Sequence, residues 1–118
     1  GLAVDFQHYI GIGQGCADDL LAGRYGHLAS TLGYALAFDE DNAQAIRRAF
    51  ESAVAQTGGL KEKARCAISI QKFSASDAPL RRLIEVEMYF SGGQGLVFVE
   101  IVEHTQGFYL EQISYSEG

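Results

Sequence analysis

Two segments of alternating apolar and polar residues flank a glycine-rich turn in residues 84–101, which read IEVEMYFSGGQGLVFVEI. A repeat of two residues is typical of a strand, and Gly92-Gly93 has the composition of a two-residue hairpin loop. Such a loop sets the register Phe90–Gly95, Met88–Val97, Val86–Val99 and Ile84–Ile101. Residues 84–101 therefore predict an antiparallel hairpin with one apolar face.

The same alternation continues on both sides of this hairpin. It covers the segment around Cys66 to Ile70 and the segment from residue 108 to residue 116. Pairing His104 with Phe108 would set Val99 beside Ile113, and turns are expected at 74–79 and 105–107. The sequence therefore predicts a four-stranded antiparallel meander, with strands at about 62–73, 81–91, 95–104 and 108–116.

Apolar residues recur at three- and four-residue steps in the first half of the chain, a spacing typical of amphipathic helices. We predict three helices, at about 5–22, 24–37 and 42–57. Asp41 is expected to cap the third helix, and Gly58-Gly59 is expected to end it.

Helices that precede a meander of strands indicate the fold class. We predict an α+β fold of one domain, residues 1–118, with three N-terminal helices packed on one face of a curved four-stranded antiparallel meander sheet. Gly11, Gly13 and Gly15 oppose the first helix, because each costs up to about 1 kcal/mol relative to Ala in a helix. We interpret them as small residues that let another part of the chain pack closely.

Composition and charge exclude several classes of protein. The chain has 118 residues, one domain's length, and its 47% hydrophobic and 20% charged residues exclude a disordered chain. Its net charge of −6 would repel a phosphate backbone, so we expect no nucleic acid partner. No apolar run approaches the roughly 18 residues that cross a bilayer, so we expect no membrane-spanning segment.

The sequence leaves the cellular compartment open. The chain starts at Gly1 and its one methionine is Met88, so we expect that an upstream segment was removed, either as an export leader or by ordinary truncation. A periplasmic or secreted location and a cytoplasmic one both fit. Cys16 and Cys66 lie among apolar residues on different predicted elements, which favours two buried thiols, with a disulfide as the alternative.

Alternation assigns the strand residues to two faces. The inner face, which we expect the helices to cover, is apolar and includes Met88 and Val99. The outer face mixes apolar, aromatic and acidic residues that a monomer would expose, so we predict a homodimer that packs sheet to sheet. The residues expected at this interface are Tyr89, Phe98, Glu100 and Leu110. The alternative is a monomer whose rings and long basic side chains shield one another in water.

Two short segments and the order of elements carry a family resemblance. Residues 17–28 read ADDLLAGRYGHL, in which a small residue, Gly, a polar residue and Tyr connect two helices, and residues 107–110 read GFYL at the start of the last strand. The chain resembles the nuclear transport factor 2-like (cystatin-like) superfamily, and in particular its small bacterial members of uncharacterised function. The resemblance implies a cone between the helices and the sheet. The family commonly has Trp in its closing pattern, and this chain has none.

The resemblance also suggests where chemistry would take place. In family members that are enzymes, such as ketosteroid isomerase and scytalone dehydratase, it implies a carboxylate or histidine base and tyrosine donors inside the cone. Glu111 shares parity with Ile113 and is the best candidate for a carboxylate on the inner face, but we favour a rim position in water near the end of the strand. The residues expected to line the pocket are Tyr9, Tyr34, Met88, Glu111 and Tyr115.

Other patterns do not indicate a reactive site. His8, His27 and His104 lie on separate elements without ligand spacing, so we expect no metal site. The glycines of the first helix lack the spacing and strand context of a nucleotide-binding loop, and no serine or cysteine lies in a nucleophile motif. We expect no cofactor.

Three hypotheses about function follow. The leading one is a non-enzymatic domain that forms a homodimer and binds a small apolar or amphipathic ligand in the cone. The alternative is a cofactor-free lyase or isomerase in which Glu111 acts with Tyr9 or Tyr34. The third is a structural association module with a large dimer interface and little or no cavity.

Overall fold

Three helices precede four strands in this protein. The computed structural model describes residues 2–73, 81–104 and 107–118, and the turn residues predicted at 74–79 and 105–106 lie outside them. The helices are α1 (Leu2–Ala22), α2 (Tyr25–Thr31) and α3 (Asn42–Thr57), with a short 3-10 helix at Ala35–Ala37. The strands are β1 (Leu60–Phe73), β2 (Arg81–Ser91), β3 (Leu96–His104) and β4 (Gly107–Ser116), in the sheet order β1-β2-β3-β4. The predicted α+β fold with an antiparallel meander is confirmed.

The second predicted helix, residues 24–37, is wrong in its length. Helix α2 ends at Thr31, and Gly33 follows with a φ of 71°, the left-handed conformation that commonly ends a helix. The chain then runs along the free edge of β4, where Tyr34 forms an isolated bridge with Leu110. The apolar spacing after residue 31 therefore reflects contact with the sheet edge and not a continued helix.

The β2–β3 hairpin has the predicted register but a different turn. Its pairs are Ile84–Ile101, Val86–Val99 and Met88–Val97. The Gly93 N–H donates to the Phe90 carbonyl at 2.9 Å, so the turn is centred one residue earlier than Gly92-Gly93. The Gln94 N–H donates to the Thr57 carbonyl at the end of α3, also at 2.9 Å. The tip of the hairpin is therefore fastened to the helix layer.

A bulge in β4 changes the register of the last hairpin. Its pairs include Val99–Ile113, Ile101–Leu110 and His104–Gly107. The pairing of Val99 with Ile113 is confirmed, whereas the pairing of His104 with Phe108 is wrong. Between the two registers Glu111 is one extra residue without a partner, which is the definition of a bulge.

The bulge also reverses the faces predicted for two residues. Leu110 is fully buried in the core, although it was assigned to the outer face, and Phe108 packs against the same core. Glu111 was assigned to the inner face, yet it lies close enough to Glu100 on the outer face to act on its ionisation. One extra residue lets β4 bury apolar side chains of both parities, Leu110 before the bulge and Ile113 after it.

The helices cover the inner face and fill the space above it. Helix α1 packs on β1 and β2, and α3 packs on β3 and β4. Met88 and Val99 are fully buried, which confirms the inner face predicted for them. Cys16 is buried and Cys66 is half-buried, and both are free thiols. None of the described helices is long and apolar enough to cross a membrane.

Helix α3 has both predicted ends. The Asp41 carboxylate accepts a hydrogen bond from the Gln44 N–H at 3.1 Å, as an N-cap does. Gly58 ends the helix in the left-handed conformation, with φ of 71°. These local signals were sufficient to place α3, because each acts within one turn of the helix end.

A strained turn precedes α3. Phe38 has φ of 54° and ψ of −120°, a conformation that favours glycine and costs another residue on the order of 1–3 kcal/mol. The Glu40 N–H donates to the Ala37 carbonyl at 2.9 Å, so Phe38 is the first central residue of a β-turn. Its side chain is 86% exposed, so contacts within the described chain do not explain the strain.

Candidate functional site

Tyr9 lies at the centre of a polar contact between α1 and the sheet. Its hydroxyl donates to Glu103 Oε2 at 2.5 Å, and Arg82 Nη1 donates to that hydroxyl at 3.4 Å. The Arg82 backbone N–H donates to Glu103 Oε1 at 3.2 Å. Tyr9 of α1, Arg82 of β2 and Glu103 of β3 therefore form one hydrogen-bonded group, which we call the Tyr9 cluster.

Rings and a cation enclose the phenol of Tyr9. Phe108 and His8 pack edge-on against it, with ring centres 5.5 and 5.7 Å away, and the Arg82 guanidinium lies 4.9 Å from its centre. Tyr9 is only 7% exposed. The hydrogen bond to the Glu103 carboxylate, and then burial, raise the pKa of Tyr9, and Arg82 opposes this rise only in part.

The Tyr9 cluster corrects the carboxylate expected beside Tyr9. The bulge removes Glu111 from the inner face, and Glu103 is the acidic residue that contacts the phenol. Alternation along β3 could have identified Glu103, because it shares parity with the buried residues Val99 and Ile101. A phenol and a carboxylate within one hydrogen bond can share a proton, and here both also bind Arg82. In this arrangement the cluster fastens α1 to the sheet.

Replacing Glu103 by Gln is expected to lower the pKa of Tyr9, because an amide accepts the phenol proton more weakly and does not repel a phenolate. In the wild type the folded state binds this proton more tightly than the unfolded state does. The stability that it contributes is therefore complete below pH 10.0 and is lost as the pH rises through the raised pKa. Phenolate absorbance measures the titration, and Tyr9→Phe identifies the step that belongs to Tyr9. A Tyr9 titration that Glu103→Gln leaves unchanged would contradict the assigned bond.

The five residues predicted to line the pocket lie on several different elements of the fold. Tyr34 lines an open groove beside α3, and burial raises its pKa. Met88 lies inside the core, and Tyr115 packs against that core from β4. Tyr9 belongs to its own cluster, and Glu111 lies at the bulge. The sequence identified a tyrosine that contacts a carboxylate, but not the carboxylate.

One hydroxyl in the core has no partner among the described residues. Tyr25 Oη is buried there while the Tyr25 ring packs against the core. A buried polar atom without a partner costs about 1–3 kcal/mol. Tyr25→Phe is therefore expected to raise the free energy of unfolding by about 1 kcal/mol in chemical denaturation. A decrease of that size would contradict this and would show that ordered water or a ligand binds the hydroxyl.

The segment that carries the family resemblance forms the joint between α1 and α2. Asp19 is 7% exposed, and its two oxygens contact Arg24 Nε at 2.8 Å and His27 Nδ1 at 2.6 Å. Burial alone would raise the pKa of Asp19, but the hydrogen bonds with His27 and Arg24 outweigh burial and lower it. Burial raises the pKa of the neighbouring Cys16 thiol to about 12, which opposes thiolate chemistry. These contacts therefore stabilise the joint.

The outer face of the sheet carries the remaining predicted residues. Tyr89 and Phe98 are half-buried by their cross-strand neighbours, and Arg65 of β1 lies 5.3 Å from the centre of the Tyr89 ring. Phe98 lies between Glu87 and Ser114 on the neighbouring strands. Tyr89, Phe98 and Glu100 alternate with buried inner residues, so they occupy the predicted face.

Carboxylates occupy the middle of the outer face. Glu85 lies directly opposite Glu100, and like charges in that position repel. Burial, followed by the nearby charges of Glu85 and Glu111, raises the pKa of Glu100. The outer face therefore has an acidic centre with aromatic residues beside it.

Comparisons of the chain with protein-family models, with curated proteins and with solved structures find no match. The resemblance to the nuclear transport factor 2-like superfamily therefore stays a prediction. Within the described residues, no group of three His, Cys, Asp or Glu side chains is arranged to hold a metal ion. The features that bear on function are thus the geometry of the Tyr9 cluster, of the core and of the outer face.

Proposed function

We propose that the chain is a non-enzymatic association module that forms a homodimer through the outer face of its sheet. The supporting observation is the placement of the helices. They pack against the inner-face residues, whereas Tyr89, Phe98 and Val102 lie on the opposite face, where their described partners are residues of the adjacent strands. A face of this composition is the kind that a second copy covers in a two-fold contact.

Charge on the outer face also favours a second copy as the partner. Glu85, Glu87 and Glu100 occupy its centre, while Lys63 and Arg65 lie together beside Tyr89 at one corner. Two sheets stacked with an offset would bring the basic corner of each copy over the acidic centre of the other. Such reciprocal complementarity favours one register of self-association over others.

Sedimentation equilibrium tests the dimer. At low protein concentration the wild type is expected to have twice the mass of the 12.8 kDa chain, and Phe98→Lys is expected to lose the sheet contact and be monomeric there, because it would bury a charge in the interface. Phe6→Lys is the matched control, since Phe6 is an exposed aromatic residue on α1, away from the sheet's outer face. Circular dichroism confirms that both variants fold. A wild type that stays monomeric at millimolar concentration would exclude this function.

The ligand predicted in the cone stays a prediction, and the Tyr25 hydroxyl is its support. An amphipathic ligand that enters the core would direct its polar group to this atom, which lacks a partner among the described residues. Titration of ¹⁵N-labelled protein with decanoate tests this. Shifts are expected around Tyr25 and are expected to weaken in Tyr25→Phe. Shifts confined to the surface would remove the ligand from the proposal.

The Tyr9 cluster favours one second candidate, a cofactor-free isomerase. Glu103 would take a proton from the carbon between the carbonyl and the double bond and return it to the far carbon of that double bond. Tyr9, released from Glu103, would donate a hydrogen bond to the carbonyl oxygen while it is negative. The conversion of cyclohex-3-enone to its conjugated isomer is a suitable assay, because the product absorbs in the ultraviolet. Activity is expected to be lost in Glu103→Gln. Equal rates for the wild type and Glu103→Gln would exclude this candidate.

A further inference from the structure

Phe38 is presented to solvent by a fixed turn. Its ring is 86% exposed and its φ is 54°, and both features are unfavourable in a single copy of the chain. A hydrogen bond between Ala37 and Glu40 closes the turn, and both oxygens of Glu40 pair with the Arg48 guanidinium on α3. An exposed aromatic residue on an immobilised turn has the properties of a binding anchor, because little order is lost when it binds.

A groove of matching character lies along the same helix. It has a volume of about 230 Å³, and its lining is mostly apolar. The lining residues are Phe50, Glu51, Val54, Ala55 and Lys61. The Lys61 ammonium lies 5.6 Å from the centre of the Phe50 ring. The groove therefore offers an apolar seat for one aromatic ring with a positive charge beside it.

Phe38 and the groove lie at opposite ends of α3. Phe38 precedes the N-terminus of α3, and the groove lies beside the last two turns of that helix. Two copies with antiparallel α3 helices around a two-fold axis would place each Phe38 beside the other copy's groove. Asp39 and Asp41 follow Phe38 in sequence and would approach Lys61 of the other copy, which makes the charges complementary.

The exposed surface of α3 between anchor and groove permits this approach. Arg47 pairs with Glu51 at 3.2 Å, and Arg48 pairs with Glu40. Two positive and two negative charges therefore cancel within each copy. The facing helices would meet without a net charge of either sign.

We propose that Phe38 anchors a second contact between copies of this chain by inserting its ring into the groove formed by α3 and Lys61. This contact uses the helix layer and is independent of the outer face of the sheet, so it goes beyond the proposed function. The occupant of the groove is a second copy, because the same chain carries both an exposed Phe38 next to acidic residues and an apolar groove next to Lys61.

Phe38→Gly is the decisive variant. Glycine accepts φ of 54° without strain, so the variant is expected to be more stable to heat while it loses the anchor. In the Phe98→Lys background, where the sheet contact is removed, self-association is expected to persist in a concentration series and to weaken about tenfold or more with Phe38→Gly. Phe6→Gly, which removes an exposed aromatic residue from α1, is the control and is expected to leave the association unchanged.

A charge exchange tests the direction of the contact. Lys61→Glu is expected to weaken the association, and Asp39→Lys added to Lys61→Glu is expected to restore it. Association in the Phe98→Lys background that is absent, or that Phe38→Gly leaves unchanged, would overturn the proposal. The two surfaces are distinguishable in the wild type. An oligomer that Phe38→Gly disrupts and Phe98→Lys does not would support the Phe38 contact and exclude the sheet dimer.

Discussion

Gly59→Ala is expected to lower the free energy of unfolding by about 3 kcal/mol, the upper part of the usual range for overpacking a filled site. An added Cβ at residue 59 would lie 2.6 Å from Phe90 Cβ, 2.8 Å from the Phe90 carbonyl oxygen and 3.0 Å from the Gly93 nitrogen. Two of these atoms belong to the backbone, which cannot move aside as a flexible side chain can. The same backbone forms the turn bond between Gly93 and Phe90.

The position of Gly59 explains why the strain would spread. The chain leaves α3 at Thr57 and passes directly under the tip of the β2–β3 hairpin, where Gln94 N–H binds the Thr57 carbonyl. Separating Gly59 from Gly93 would therefore also strain this bond. Urea denaturation measures the loss, and Gly26→Ala is the matched control.

Gly26 lies in α2, where an added Cβ meets nothing within 4 Å. Its replacement by Ala is expected to stabilise the protein by up to about 1 kcal/mol. A Gly59→Ala variant as stable as the wild type would contradict the close contact between the two glycine backbones.

Gly13→Val is expected to destabilise the fold by about 2–3 kcal/mol, because the face of α1 that contains Gly13 packs directly on the sheet. A Cβ at residue 13 would lie 2.9 Å from Ile68 Cγ2 and 3.0 Å from Ile84 Cγ2. Ile84 is fully buried, and its β-branched side chain has few alternative rotamers. The added methyl groups would push α1 away from β1 and β2.

The other two glycines of α1 provide the control for Gly13. Gly11 and Gly15 are exposed, and a Cβ at either meets nothing within 4 Å. Gly11→Ala and Gly15→Ala are each expected to raise the free energy of unfolding by up to about 1 kcal/mol, from helix propensity alone. A lower free energy of unfolding for Gly13→Val, together with a higher one for Gly11→Ala and Gly15→Ala, would confirm that packing decides the result at Gly13. Equal effects at all three positions would contradict the close approach of α1 to the sheet.

The glycines show which structural roles could be predicted from the sequence and which could not. Close packing was predicted for all three glycines of α1, and only Gly13 makes a close contact. Gly58 was predicted to end α3 and does so, because a helix end depends on a few adjacent residues. The contact between Gly59 and Gly93 was not predicted, since they belong to different local motifs and meet only when the hairpin folds onto the end of α3.

The candidate site also contains some residues that the sequence placed correctly and others that it did not. Tyr9 was predicted on the inner side, and Tyr89 and Phe98 on the outer face, from periodicity alone. Glu111 and Leu110 were placed on the wrong faces, because a bulge shifts the alternation by one residue. Apolar residues occupy both odd-numbered and even-numbered positions of β4, so the sequence of β4 does not reveal the bulge. The sequence also did not indicate that Glu103, 94 residues away, is the partner of Tyr9.

The amino-acid pattern by itself determined the order of helices and strands, the register of β2 with β3 and the ends of α3, because each depends on neighbours along the chain or on a short turn. Only the tertiary structure decided the bulge at Glu111, the Tyr9 cluster, the exposure of Phe38 and the contact of Gly59 with Gly93. These features depend on how distant segments share space once the core is filled, and local periodicity carries no information about that.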